Sequence, residues 1–314
     1  VDPITHAISG AVLARALPRQ RLPTAAVLFL VIMTMLPDID FILRLFSERL
    51  YLTYHRSITH SILLLPIWVW LCYSLVPRRR RQYPVMPWLI AAAFGLHILF
   101  DLITSYGTMI LAPFSDMRFT GDLIFIIDPF FTLILLLPLL FALLWPNKGR
   151  RLCILAFVGI AAYLALAYSN HQHALLLARQ QQPDAQEIAA LPLPFSPFRW
   201  QLIASFPDRY RRAGVDFSPA FSGSRVMLPA RFTQQYSEGV RAANDLDWLQ
   251  FPSLNSLSGI DGLPGVPFYR WFARFPVLLQ RDNESLELAD LRFFAGPLRG
   301  SPFRLRVRIS QGGE

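Results

Sequence analysis

What most constrains this chain is the succession of apolar runs in its first half. Residues 61–77, 88–112, 123–145 and 152–169 each approach or exceed the ~20 residues a helix needs to span a bilayer, and each is almost free of charge. A fifth run, 24–46, is broken by Pro37-Asp38-Ile39-Asp40. Its helix is expected to stop near Leu36, because proline removes a backbone donor and restricts the residue before it. Residues 4–17 are apolar but too few for an ordinary span. With 24–36 they read as a short helical hairpin that is tilted, re-entrant or packed within the bundle. Five or six membrane-embedded segments are therefore expected. The 54% of hydrophobic and 16% of charged residues agree, against roughly 45–50% and about 25% in soluble chains.

Basic residues orient these segments. Arg78 to Arg81 follow the 61–77 run, Lys148, Arg150 and Arg151 separate the last two runs, and Arg15, Arg19 and Arg21 sit between the first two. Such loops face the cytoplasm, which places the region after residue 170 on the outer, periplasmic side of an inner membrane. The first apolar stretch precedes its basic residues instead of following them, unlike a cleavable signal peptide.

Beyond residue 170 the pattern changes. Prolines recur at 183, 192, 194 and 197, so 171–198 reads as a connector with a helical stretch near Leu175–Gln182. Residues 199–314 read as a small β-rich extramembrane domain. Its expected strands are WFARFPVLLQR, SLELADLRFF and PFRLRVRIS, the last alternating with the period of two of a half-buried strand. The expected fold is mainly α: a polytopic helical membrane domain over 1–170, the connector, then the β-rich soluble domain over 199–314.

Several chemistries drop out. The two cysteines, Cys72 and Cys153, lie in apolar runs with no metal or redox spacing, so they are expected to be buried hydrophobes. Any metal here is left to imidazole and carboxylate. The net charge of +9 comes with no basic helix interleaved with base-stacking aromatics, so nucleic acid is not an expected partner.

Four of the six histidines, His6, His55, His60 and His97, fall in the first hundred residues near acidic groups. Asp38, Asp40, Asp101 and Asp128 lie in or against apolar segments, where a carboxylate costs about 2.5–3.5 kcal/mol at mid-membrane. His97 and Asp101, at i and i+4, leave one helix face one turn apart, in a geometry for a shared metal or for a plain intrahelical hydrogen bond. In His55-Arg56-Ser57-Ile58-Thr59-His60-Ser61 the i, i+5 spacing puts His55 in an entry loop and His60 in the first turn of the next helix. Ser57 or Thr59 is available as its cap. Asp38 and Asp40 face the same way if their segment is extended, and otherwise form a helix-ending turn. Asp128, before Pro129, reads either as a supporting carboxylate or as a cap, and His171 and His173 as interfacial. The orientation above puts His6, Asp38, Asp40, His55, His60, Asp101 and Asp128 toward one outer face.

The motifs Val1-Asp2-Pro3-Ile4-Thr5-His6-Ala7-Ile8-Ser9-Gly10, Leu36-Pro37-Asp38-Ile39-Asp40, His55-Arg56-Ser57-Ile58-Thr59-His60-Ser61 and His97-Ile98-Leu99-Phe100-Asp101 together resemble the YdjM-type family of bacterial inner-membrane proteins, regarded as metal-dependent hydrolases. They occur in the family order over about the first 130 residues. The initial valine, where the family begins with methionine, is expected to reflect an alternative start codon. The segments Arg274-Phe275-Pro276 and Asp290-Leu291-Arg292-Phe293 are similar to the carboxy-terminal extension of longer members. More loosely, the His, Asp, His, HxxxD order is similar to zinc-dependent phospholipase C and the single-strand-specific zinc nucleases, which implicates His97 and Asp101. The chain departs from those enzymes in lacking later His and HxxxE ligands.

The expected function is a membrane-bound hydrolase using a divalent metal, zinc by preference, to activate water against an ester, either a phosphoester or a lipid, at the outer membrane surface. Its metal ligands are expected among His6, Asp38, His55, His60, His97 and Asp101. Asp40 is the second carboxylate, acting as base or orienter, and Arg56 a holder of a phosphate oxygen. The rival expectation is a non-enzymatic polytopic protein, a transporter or structural component, whose His and Asp residues line a polar path.

Overall fold

A computed structural model describes residues 1–17, 22–76, 85–218, 240–243, 245–294 and 303–308. Arg19, Arg21 and Arg78 to Arg81, on which part of the orientation rests, lie outside them. The chain divides into two compact units, Val1–Leu166 and Ala167–Glu314, the first helical and the second built on two β-sheets.

Helix α1 spans Pro3–Ala16, with Pro3 in its first turn and Asp2 capping it by accepting the Thr5 N–H at 3.0 Å. Helix α2 spans Thr24–Met35 and passes directly into a 3-10 helix over Leu36–Leu45. The α-helix therefore stops at Met35, as the proline suggested, but the helical path goes on. It tightens, because a proline at the first turn of a new helix needs no N–H donor. Ten residues of 3-10 helix are unusual, since runs beyond three or four are uncommon. Helix α3 is Glu48–Tyr54, a 3-10 turn covers Ile58–His60, and α4 is Leu65–Ser74. Helices α5 (Met86–Leu102), α6 (Pro129–Leu144) and α7 (Gly149–Gln181) complete the helical part, α7 continuing into the second unit.

Three of the expected spans are shorter than their apolar runs. The 61–77 run forms only α4, which meets the helical path Glu48–His60 at 79°. The 88–112 run stops being helical at Leu102. After it the chain turns back in an irregular segment tied by the bridges Thr104 to Ile124 and Thr108 to Phe119. The 123–145 run becomes helical at Pro129, where Asp128 caps it by accepting the N–H groups of Phe130 and Phe131 at 3.0 Å. Two helical stretches, Thr24–Leu45 and Pro146–Gln181, are long and apolar enough to cross a membrane, or three if the bent pair counts as one. At ~1.5 Å per residue the shorter α5 and α6 reach about 24–26 Å, below the ~30 Å of a hydrocarbon core. The helices keep large apolar side chains on their outer faces, among them Trp70, Trp88, Leu133, Leu137, Leu155 and Val158, the pattern of a surface that meets lipid rather than water. Inside, α1 packs on α2, α5 and α6, and α2 and α4 pack on α5. Leu30, Leu89, Ile90, Phe94, Phe100 and Phe131 are fully buried there, and Cys72 and Cys153 are free thiols within this core.

In the second unit, the segment expected as a connector holds the end of α7 and then strand β1 (Glu187–Pro192). Its prolines hid the strand: Pro192 only closes it, and Pro194 and Pro197 shape the reversal into β2 (Arg199–Ser205). Strand β3 (Arg209–Asp216) continues the antiparallel meander and is flanked by β4 (Val240–Arg241) and β5 (Leu249–Pro252). Short helix α8 (Val266–Phe272) precedes a second antiparallel sheet of β6 (Pro276–Arg281), β7 (Ser285–Asp290) and β8 (Leu305–Arg308). These last three strands fall within the three segments expected from the sequence. Residues 302, 309 and 310 of the third segment lie outside the described residues.

Candidate metal centre

The interruption at Pro37 creates the first element of the site. A 3-10 turn would pair the Thr34 carbonyl with residue 37, which as proline has no N–H to give. That carbonyl instead accepts the Nδ1–H of His97 at 2.6 Å. The hydrogen bond fixes the His97 tautomer and leaves its Nε2 with a lone pair. His60 is set the same way. The Thr59 hydroxyl gives its proton to Asp40 Oδ2 at 3.1 Å, so the His60 Nδ1–H donates to Thr59 Oγ1 at 3.0 Å, and its Nε2 also carries a lone pair.

These two Nε2 atoms face each other at 2.9 Å in a fully buried setting. Two lone pairs this close repel unless a cation lies between or beside them. Around them stand Asp101 Oδ2, 3.1 Å from His60 Nε2 and 3.5 Å from His97 Nε2, and Asp38 Oδ1, 3.7 and 3.6 Å from the same atoms. Asp101 Oδ2 is buried, and the Arg56 guanidinium lies against it from outside the cluster, its Nε at 3.0 Å. Tetrahedral bonds of about 2.0–2.1 Å to nitrogen and oxygen give donor-to-donor edges of about 3.3–3.4 Å. The five edges here, 2.9–3.7 Å, bracket that value. Asp38, His60, His97 and Asp101 thus form a buried two-histidine, two-aspartate cluster able to hold a divalent metal.

The remaining expected residues surround this cluster. His6, on α1, stacks on the His97 ring at 3.7 Å between centroids and brings its Nε2 to 3.2 Å from Asp101 Oδ1, beside which the α-amino group of Val1 also lies. Arg56 is buried, its Nε 3.0 Å from Asp101 Oδ2 and its Nη1 donating to the Asp101 carbonyl and to Thr104 Oγ1. Its guanidinium lies 4.9 Å from the Tyr106 ring. The Arg56 backbone is left-handed, with φ of 60°. It is held there by its N–H on Asp40 Oδ2 and by the Met109 N–H on its carbonyl. Non-glycine residues in that region cost about 1–3 kcal/mol and persist where their surroundings enforce them.

Asp38 and Asp40 do not share a face, because their segment is a 3-10 helix and not extended chain. With 3.0 residues per turn, two positions diverge by about 240°. Asp38 reaches His60 and His97, whereas Asp40 Oδ1 accepts His55 Nδ1–H at 2.9 Å. Ser57 and Thr59 do not cap a helix with their side chains; Thr59 is used by Asp40. Asp128 belongs to the α6 terminus and to Tyr163, whose hydroxyl donates to it at 2.7 Å. His171 and His173 lie beside the rings of Trp200 and Phe217 in the second unit. Sequence reading missed Thr34, Thr59, Thr104 and Tyr106 as supporting groups. Only Thr34 had a signal in the sequence, as the residue three before Pro37 in an apolar helix.

Residues 1–174 match the family model described as YdjM inner membrane protein. The chain belongs to that family. It is an inner-membrane protein with more than one membrane-length helix. Over 96 residues it is also 33% identical to the uncharacterized protein YfhP of Bacillus subtilis (strain 168), a match that covers 30% of this chain and 29% of YfhP. No solved structure matches the chain.

Proposed function

We propose that this protein is a membrane-embedded, metal-dependent hydrolase that acts on an ester, phosphoester or lipid in kind, at the periplasmic face of the inner membrane. The observation that carries the reading is the convergence of two imidazole lone pairs and two carboxylate oxygens, from Asp38 and Asp101, on one buried point. The donor set of imidazole and carboxylate without thiolate suits zinc. Such an ion, when bound, polarises the scissile group and makes water a stronger acid.

The protein's own groups supply the rest. Asp38 is the cluster member with an open side, its side chain 16% exposed against 0% for His60, His97 and Asp101, so substrate reaches the centre past it. Ile39, next to Asp38 in the chain, and Ile58 and Ile62, two residues either side of His60, are exposed and apolar and favour a substrate with acyl or other apolar parts. Arg56 and His6 hold Asp101 from two sides and fix its orientation.

Detergent-purified protein is expected to carry about one equivalent of zinc and to hydrolyse bis(4-nitrophenyl) phosphate or 4-nitrophenyl butyrate. Both properties are expected to disappear in His60→Ala. The broken helices around the site also fit a solute path, since transporters place ions at such breaks. Metal-free protein that moves an ion across vesicles would establish that rival and end the hydrolase reading.

A further inference from the structure

The second group of potential ligands, Asp38, Asp40 and His55, has donor atoms within 4.8 Å of one another and shares Asp38 with the first. A second ion there is one explanation, but the hydrogen bonds favour another. His60 and His97 oppose two lone pairs, and that contact needs a cation. His55 and Asp40 oppose a donor and an acceptor, and that contact is complete in itself. Three of the roughly four acceptor positions of Asp40 are moreover taken: Oδ1 takes the His55 Nδ1–H, and Oδ2 takes the Arg56 N–H at 3.0 Å and the Thr59 hydroxyl at 3.1 Å. A carboxylate so occupied orients an imidazole in preference to binding a metal.

The consequence for His55 is specific. With its proton on Nδ1, its Nε2 carries the lone pair, and that nitrogen has no hydrogen-bond partner among the described residues. The ring is clamped, stacked on Tyr51 at 4.6 Å and met edge-on by Phe41 at 5.2 Å and Tyr106 at 5.3 Å. Its centroid is 6.2 Å from that of the His60 ring, a spacing that one water molecule can bridge. A ring nitrogen of His55 lies within 4.8 Å of a carboxylate oxygen of Asp38, the partly exposed member of the cluster.

We propose that His55 is the proton-transfer residue of the reaction and not a metal ligand, and that Asp40 is its positioning residue. This rests on the hydrolase reading above. Water gives one proton to His55 Nε2 as its oxygen bonds to the carbonyl carbon or phosphorus of the ester. The bond from that atom to the leaving oxygen then breaks, and the same proton passes from His55 to the leaving oxygen, so that the imidazole ends neutral.

The test compares zinc content with turnover of bis(4-nitrophenyl) phosphate and 4-nitrophenyl butyrate in the full-length protein and in His55→Gln, His55→Ala, Asp40→Asn and His60→Ala. His55→Gln and Asp40→Asn are expected to keep the single zinc equivalent that His60→Ala loses. Their kcat is expected to fall by about 10²–10⁴-fold, the range of a lost general base, with KM little changed. Added imidazole is expected to restore turnover to His55→Ala and not to Asp40→Asn, which no purely structural role predicts. Loss of zinc in His55→Gln makes His55 a ligand and overturns the proposal. So do two equivalents in the unmodified protein that fall to one in His55→Gln, and so does full turnover in that variant. If the unmodified protein binds zinc but hydrolyses neither ester, the hydrolase reading fails and the proton role fails with it. Zinc loss confined to the His55 variants, in a protein that does turn over, removes the proton role alone.

Discussion

Asp101 shows how much one side chain is asked to do in an apolar helix. It faces His60 and His97 through Oδ2 and His6 through Oδ1, and Arg56 lies against it. If its partners merely neutralised it, replacing His97 and Asp101 together by leucine would cost stability by stranding the buried Arg56 guanidinium, and a chelator would shift neither protein. A metal-binding role gives a different result. A chelator is expected to lower the thermal midpoint of the unmodified protein, since an ion held only by the folded form at about 100 times its Kd adds about 2.7 kcal/mol. The His97→Leu, Asp101→Leu double variant is expected to show no chelator shift, and an equal shift in both proteins would remove the pair from the site.

At the scale of elements, the site depends on how closely α1 approaches α2. A Cβ at Gly10 would lie 2.3 Å from Thr34 Oγ1 and 2.9 Å from the Val31 Cα. Gly10→Ala is therefore expected to cost about 1–3 kcal/mol by overpacking, read as a lower thermal midpoint. Because Thr34 also holds His97, and His6 lies one turn before Gly10, the same variant is expected to weaken zinc binding. The α6 terminus offers the contrast. Asp128→Ala removes a helix cap worth about 0.5–2 kcal/mol and leaves the Tyr163 hydroxyl without its acceptor, so it is expected to lower the thermal midpoint. Zinc content should stay unchanged, because Asp128 touches none of the cluster residues in the described contacts. A loss of zinc in Asp128→Ala would draw α6 into the centre.

For the whole molecule the open matter is direction. From the basic loops before and after the apolar runs, residue 147 is expected in the cytoplasm and the β-rich unit outside. Reporter fusions after residue 147 and after residue 200 are expected to report opposite sides, and two cytoplasmic results would refute the assignment. Pro146–Gln181 is long enough, at 36 residues, to cross between the two positions. The charge rule acts during insertion on short loops beside apolar helices, so it speaks to this helix and says nothing about how the β-rich unit is used.

The sequence by itself determined that the first half is apolar and helical and that the last three strands lie where alternation marks them, and it put forward His6, Asp38, Asp40, His55, Arg56, His60, His97 and Asp101 as the candidate site. Each of these is a local property: run length, a period of two, or the cost of a charge among apolar neighbours. What only the tertiary structure decided is which donors meet. Asp38 and Asp40 part company because a 3-10 helix replaces the extended segment, and His55 pairs with Asp40 while His60 faces His97. The lengths of the helices also came only from the structure, since apolar residues such as Ile103, Met109 and Ile124 continue past the helix ends into irregular chain buried within the protein. Hydropathy records only that a residue avoids water. It does not distinguish a helix in lipid from a buried loop, because burial against protein satisfies an apolar side chain equally well.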